Sequence, residues 1–390
     1  MQKAYNHILL IMLLAALTSV TPLAIDTYLP SMPEIAKFLH VGIEKIEMTI
    51  SIFLICFASG QLIGGILSDR IGRRTTALIG LSLFSLADFA LFMTTSLQEL
   101  YFFRGLQAFS GGLAIVNSSA VVRDLFHGKE AAKVYSTIAS ITMIAPMIAP
   151  AIGAAIISYF TWNYIFLFLG IYATSVLFFI YRYLPETGEK TLNKISEAYK
   201  RVLTHKEALS YIFALSFSFA GMFIFIEKSS FIYMEFFHAS KTLFPFLFGT
   251  NVFVMILFTR LNIRLVQKYD PKNILMAGMV LQCIGGISLV WFGYHPNIIG
   301  VFLSMMLYVG ILGIIFGNGI ASALEFFKHD TGVANSVIGV TEFTIAGMIG
   351  FIASSIHTGA LTPIFWMMVT TPSLAILSLM LIPKLSRSSN

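Results

Sequence analysis

Long apolar runs alternate with short polar turns along nearly the whole chain. The runs cover residues 6–31, 46–67, 75–95, 98–122, 132–157, 162–183, 208–231, 242–265, 273–294, 297–325, 332–356 and 360–383. Each is long enough to cross a hydrocarbon core about 30 Å thick as a helix, which takes ~20 residues. A membrane barrel would show short segments of alternating hydropathy instead. One long polar stretch, 184–207, rich in Lys, Glu and Thr, leaves six runs on each side. The pattern predicts an all-α membrane protein with 12 transmembrane helices: an N-terminal six-helix bundle over 1–183, a cytoplasmic linker over 184–207 and a C-terminal six-helix bundle over 208–390.

Composition narrows the class further. Hydrophobic residues make up 57% and charged residues 11%, whereas soluble domains carry about 25% charged residues. The net charge of +6 reflects placement and not nucleic-acid binding. Basic residues gather in one set of turns, with Lys3, Arg70, Arg73, Arg74, Arg123, Lys190, Lys194, Lys200, Arg201, Arg264, Lys268 and Lys328 among them. The opposite turns hold Lys37, Lys45 and Lys241. That asymmetry puts both termini in the cytoplasm. The start of the first run resembles a signal-peptide core, but the run continues into Asp26-Thr27-Tyr28-Leu29-Pro30, so an uncleaved helix is expected. Cys56 and Cys283 fall in separate apolar runs, which predicts buried thiols, no disulfide and no metal site. There is no Gly-x-x-x-x-Gly-Lys-(Ser/Thr) loop and no triad or metal cluster, so neither an ATP-driven pump nor an enzyme is expected, and no cofactor.

Charged residues inside the runs are the candidate chemistry. A carboxylate within a span is costly to desolvate and faces a cavity or a partner, not lipid. Asp26 is the first such group, toward the outer part of its span. Burial and a neighbouring cation push such a group in opposite directions, which lets it load and release a proton. Arg104 stands at similar depth in the fourth span and keeps its charge in any protein environment. Asp26 and Arg104 are therefore the expected proton-coupling pair. Gly105, Gly111 and Gly112 let another helix approach this segment closely. Glu342 lies about ten residues into its span, ~15 Å along a helix, and is a second candidate for a proton or a cationic substrate. Glu227 and Lys228 are neighbours that cannot face each other on a helix, so each needs a partner elsewhere. Asp88 is left unassigned. Phe213, Phe217, Phe219, Phe223 and Phe225 offer an apolar wall, most of it for packing.

Between the second and third runs stands Gly65-Ile66-Leu67-Ser68-Asp69-Arg70-Ile71-Gly72-Arg73-Arg74. These ten residues resemble the Gly-x-Leu-(small)-Asp-Arg-x-Gly-Arg-(Arg/Lys) loop of major facilitator superfamily transporters. More specifically, the chain resembles the Bcr/CflA-type drug:proton antiporter subfamily. Asp26-Thr27-Tyr28-Leu29-Pro30-Ser31-Met32-Pro33 matches its first-helix signature. Arg104 through Gly112 matches its Arg-x-x-Gln-(Ala/Gly)-x-x-Gly element. Ala145-Pro146-Met147-Ile148-Ala149-Pro150-Ala151-Ile152-Gly153 matches the fifth-helix antiporter motif. The match is dense over 20–190 and thinner afterwards. Departures are Ala145 for glycine, Asn163 for arginine, and Glu342 where a neutral residue is usual.

The resemblance implies the major facilitator fold, with two six-helix halves from an ancient duplication. It implies a proton-coupled exporter of lipophilic or amphipathic drugs, a multidrug antiporter of the bacterial inner membrane, monomeric, working by alternating access. Gly65, Asp69, Arg70, Gly72, Arg73 and Arg74, with Pro146, Pro150 and Gly153, are then the conformational gate. Asp69 is expected to face the positive end of the eleventh helix, near Asp330. Tyr28, Gln107, Glu227 and Glu342 are the candidate substrate contacts. The alternatives are a transporter of one physiological solute (an amino acid, nucleoside or siderophore), perhaps by proton symport, and a non-transporting sensor on the same scaffold.

Overall fold

The protein is described here from a computed structural model, which covers residues 7–187, 195–327, 330–356 and 358–387. Lys3, Lys190, Lys194, Lys328 and the linker stretch 188–194 lie outside the described residues. Among the described residues there are helices, turns and no strand. Among the described residues, twelve helical segments are long and apolar enough to span a membrane. In order they are His7–Phe38, Ile43–Ile71, Arg73–Phe92, Leu97–Leu125, Gly128–Tyr159, Asn163–Tyr183, Lys206–Phe236, Leu243–Leu265, Pro271–Tyr294, Ile298–Leu324, Thr331–Ser355 and Leu361–Met380. They are called the first to twelfth spans below. A short helix, Ile195–Thr204, occupies part of the polar stretch between the sixth and seventh.

The chain falls into two compact units. The first holds Met1–Val41 and Ile52–Asn193, and the second holds Gly42–Ser51 and Lys194–Asn390. The second span thus begins in one unit and continues in the other. Large apolar side chains remain open on each unit. Leu86, Phe102 and Phe178 in the first, and Ile287, Trp291 and Leu303 in the second, are all more than half exposed. Apolar surface on this scale needs lipid, not water, around it. Cys56 and Cys283 are free thiols, but both are only partly buried, not enclosed as expected.

Several spans are interrupted, and the sequence explains where. The first runs as α-helix from His7 to Asp26, turns at Thr27 and Tyr28, tightens over Leu29–Ser31 and resumes over Met32–Phe38. Pro30 has no N–H to offer the carbonyl of Asp26, so the ladder fails immediately after Asp26. The fifth span breaks at Met143, between Gly128–Thr142 and Ile144–Tyr159. Here Pro146 withholds its donor from Thr142 in the same way. The seventh ends in a wide turn over Phe231–Phe236, and the tenth breaks at Ile311 between Gly310 and Leu312.

Candidate functional site

Asp26 is the last residue before the first span unwinds. It is 4% exposed, and its Oδ1 has no hydrogen-bond partner. The fifth span closes over this break. Gly153 presses against the carbonyl of Thr27 and the ring of Pro30, so closely that a Cβ at 153 would collide with the Thr27 carbonyl oxygen. Pro150 is buried one turn earlier on the same helix. Tyr28 is fully buried and stands beside the ring of Phe166, at 5.8 Å between centroids.

Arg104 is fully buried in the fourth span. Its Nη1 donates to the Ala24 carbonyl at 3.1 Å and to Gln107 Oε1 at 2.7 Å. The guanidinium lies 4.6 Å from the Tyr28 ring centroid and 4.8 Å from that of Phe53, a desolvated cation–π arrangement. Nε and Nη2 have no hydrogen-bond partner. Gln107 passes its own amide N–H to Asp88 Oδ1. The line is therefore Arg104, Gln107, Asp88, with Asp88 fully buried and its Oδ2 unpartnered. Among the described residues no ion pair joins Asp26 to Arg104. Arg104 instead reaches the first span through the Ala24 backbone and the Tyr28 ring, on either side of Asp26. Asp88, which sequence reasoning left unassigned, is drawn into this network. The spacing of Arg104 and Gln107, i and i+3 on one helix face, was its readable signal.

In the second unit, Lys228 Nζ donates to Glu47 Oε2 at 2.6 Å, and Ser51 Oγ donates to Glu227 Oε2 at 2.7 Å. All four side chains are buried. Glu47 was missed because it lies at the polar start of its span, where charge reads as interfacial. Its spacing to Ser51, i and i+4, puts both on one face. Glu342 has its Oε1 buried without a partner. The next residue, Phe343, meets Phe219 at 5.1 Å between centroids, and Phe219 meets Phe223 at 4.8 Å and Phe316 at 5.7 Å. Two of the five phenylalanines singled out in the sequence, Phe219 and Phe223, thus converge on Phe343. Phe225 stacks on Phe248 instead.

The loop between the second and third spans is knit within the first unit. Arg73 donates to Asp69, to Ser68 Oγ at 3.1 Å and to Asp124 Oδ2 at 3.2 Å. Ser68 Oγ donates in turn to Asn117 Oδ1 at 2.7 Å. Glu186 accepts from the backbone of Arg74 and Thr75 at 3.0 and 3.2 Å, placing a carboxylate at a helix N-terminus, where the dipole favours it. Gly72 has φ +106°, and a Cβ there would meet the Glu186 carboxylate at 2.5 Å. Conformation and space both demand glycine. Arg74 donates to the Tyr181 carbonyl, Arg70 is exposed, and a Cβ on Gly65 would meet nothing.

The start of the eleventh span carries its own acid. Asp330 accepts from Arg201 Nε at 2.8 Å and Nη2 at 3.0 Å. That bidentate pair holds the Arg201 guanidinium above its ordinary value. Asn163, standing where the resembled family has arginine, donates to the Phe92 carbonyl at 3.0 Å and so fastens the end of the third span.

Known proteins place this geometry in context. The sequence description of the Major Facilitator Superfamily matches residues 14–351. A bicyclomycin resistance protein homolog from Haemophilus influenzae is 32% identical, covering 94% of each chain. A chloramphenicol resistance protein from Pseudomonas aeruginosa is 28% identical over 90% of this chain and 85% of its own. In fold, a D-xylose-proton symporter crystal structure superposes with a TM-score of 0.80 at 17% identity, covering 97% of this chain and 98% of that one.

Proposed function

This chain belongs to the major facilitator superfamily, and we propose that it is a proton-coupled exporter of lipophilic or amphipathic small molecules, working by alternating access. The observation that carries the reading is Asp26: a buried carboxyl with an unpartnered oxygen, at the point where the first span unwinds. Such a group is costly to keep ionised and is set where the backbone can move. Arg104, held by Gln107, contacts the neighbouring residues Ala24 and Tyr28 and supplies the positive charge that lets Asp26 release its proton. Two relatives carry the names bicyclomycin resistance protein homolog and chloramphenicol resistance protein, which supports small-molecule drug cargo. Reconstituted protein under an imposed pH gradient is expected to expel members of a drug panel. Uphill movement of a single metabolite, with the drugs inert, would favour the dedicated solute carrier.

The reading places the protein in a bacterial inner membrane, as a monomer with both termini in the cytoplasm. Impermeant labels applied to intact cells are expected to miss tags at either terminus. Labelling from outside would reverse the orientation.

Glu342, whose buried Oε1 has no partner, is proposed as the contact for cationic cargo. Glu342→Gln should spare neutral substrates and weaken cationic ones about tenfold, the size of a ~1.4 kcal/mol loss. Equal loss for both classes would remove the assignment. Tyr28, Gln107 and Glu227 remain the other candidate contacts.

Asp69, Arg73 and Asp124 are proposed as a gate, with Gly65, Arg70, Gly72 and Arg74 around them and the interrupted fifth span at Pro146, Pro150 and Gly153 as a flexing point. Asp69→Asn keeps shape but removes one of the two carboxylates on Arg73. Transport should slow about tenfold, corresponding to ~1.4 kcal/mol of lost bias between states, while substrate binding survives. Lower expression with full activity per molecule would reduce the loop to a topology signal.

A further inference from the structure

The second unit contains a buried charged cluster of which the proposed function uses one member, Glu227, and that only as a candidate substrate contact. Glu47 and Ser51 come from the start of the second span, and Glu227 and Lys228 from the seventh. Glu47 and Glu227 are fully buried and Lys228 is 1% exposed. The ammonium of Lys228 bonds Glu47, and the hydroxyl of Ser51 bonds Glu227. Each carboxyl keeps a second oxygen, Oε1, with no hydrogen-bond partner. The eleventh span seals the cluster with Gly350, where a Cβ would meet Glu227 Oε2 at 2.5 Å and Ser51 Oγ at 2.7 Å.

Counting charge decides the state. Two ionised carboxyls against one ammonium would leave an uncompensated negative charge away from water, an expensive arrangement. Besides Lys228, the charges acting on Glu47 are Glu44 and Glu235, both acidic, and the charge acting on Glu227 is Glu47. Lys228 donates to Glu47 at 2.6 Å, while Glu227 has only a hydroxyl donor. Neutrality therefore assigns the proton to Glu227.

We infer that Glu47, Glu227 and Lys228 form a second proton-binding site, in which Glu227 holds one proton while Glu47 occupies Lys228. When the second span withdraws Glu47 into water, Lys228 is left to Glu227. The Glu227 O–H bond then breaks, its proton goes to water and the carboxylate pairs with the ammonium. One proton thus moves with each exchange of partner, and the two carboxyls titrate as a pair, not singly. The role of this step in transport rests on the proton-coupled reading above; the charge state of the cluster does not.

Infrared difference spectroscopy on the purified full-length protein at neutral pH counts protonated carboxyl groups directly. Glu227→Gln should remove one such signal. Glu47→Gln should also remove one, because Lys228 then pairs with an ionised Glu227. The double variant should remove one and no more. Lys228→Met should add one, since neither carboxyl keeps a counter-ion. The inference is overturned if Glu227→Gln or Glu47→Gln leaves the number of protonated carboxyls unchanged, or if the double variant removes two. The Gln variants keep the shape of the groups they replace and settle the matter alone should Lys228→Met not fold. Asp26→Asn tests the coupling in a separate flux assay, so failure there leaves this count standing.

Discussion

Asp26→Asn is expected to abolish transport driven by a pH gradient and to leave substrate binding intact. Asparagine preserves the size of the side chain and one acceptor oxygen, so the buried end of the His7–Asp26 helix should still pack. What disappears is the proton. Asp26 Oδ1 has no hydrogen-bond partner, so no structural bond to that atom is lost on substitution. A purely structural carboxylate would be expected to have its oxygens satisfied. The measurement is uphill accumulation in proteoliposomes, compared with binding or passive exchange of the same compound. Accumulation should drop to the level of empty vesicles, while exchange down a substrate gradient persists. Undiminished uphill movement would make Asp26 structural and shift attention to Glu342 or Asp88.

Arg104→Lys is expected to impair transport by about tenfold to a hundredfold and to move its pH optimum. Lysine keeps the charge but not the planar fork. The arginine reaches the Ala24 carbonyl and Gln107 with one nitrogen while its guanidinium lies over the rings of Tyr28 and Phe53. A hydrogen bond from a charged group is worth ~1.5–3 kcal/mol, and each ~1.4 kcal/mol is about tenfold in rate. The moved pH optimum is what a packing role alone would not produce. It follows because the position of the positive charge relative to Asp26 and Asp88 changes, while the net charge does not. A lower rate with the same pH profile would make Arg104 a packing residue for the first span.

Much of this was readable in the sequence, for physical reasons that differ by element. The twelve spans follow from hydropathy alone, because lipid leaves the backbone few other choices. The unwinding after Asp26 was implicit in Pro30 four residues on. The span nevertheless resumes to Phe38, beyond its expected end at 31, because Pro33 stands in the first turn of Met32–Phe38, where its missing donor costs nothing. The second span likewise extends to Ile43 and Ile71, past its apolar limits, since charged ends lengthen a helix without interrupting it. The break at Ile311 and the wide turn at Phe231–Phe236 were not legible. Neither has a proline to announce it. The partners of Arg104 were misjudged from depth alone, which pointed to Asp26. Gln107 was within reach of Arg104 by its i, i+3 spacing, but Asp88 was available only once the third and fourth spans were packed together. Glu47 and Lys228 are 181 residues apart, and no local pattern pairs them.

Coupling itself is tested most directly by following both species at once. Proteoliposomes carrying the wild-type chain receive a substrate gradient and no pH gradient, and internal pH is recorded alongside substrate. Substrate running down its gradient should drive protons the opposite way, and Asp26→Asn should pass substrate while internal pH stays flat. Substrate movement with no proton flux in the wild type, or with protons travelling in the same direction, would contradict it.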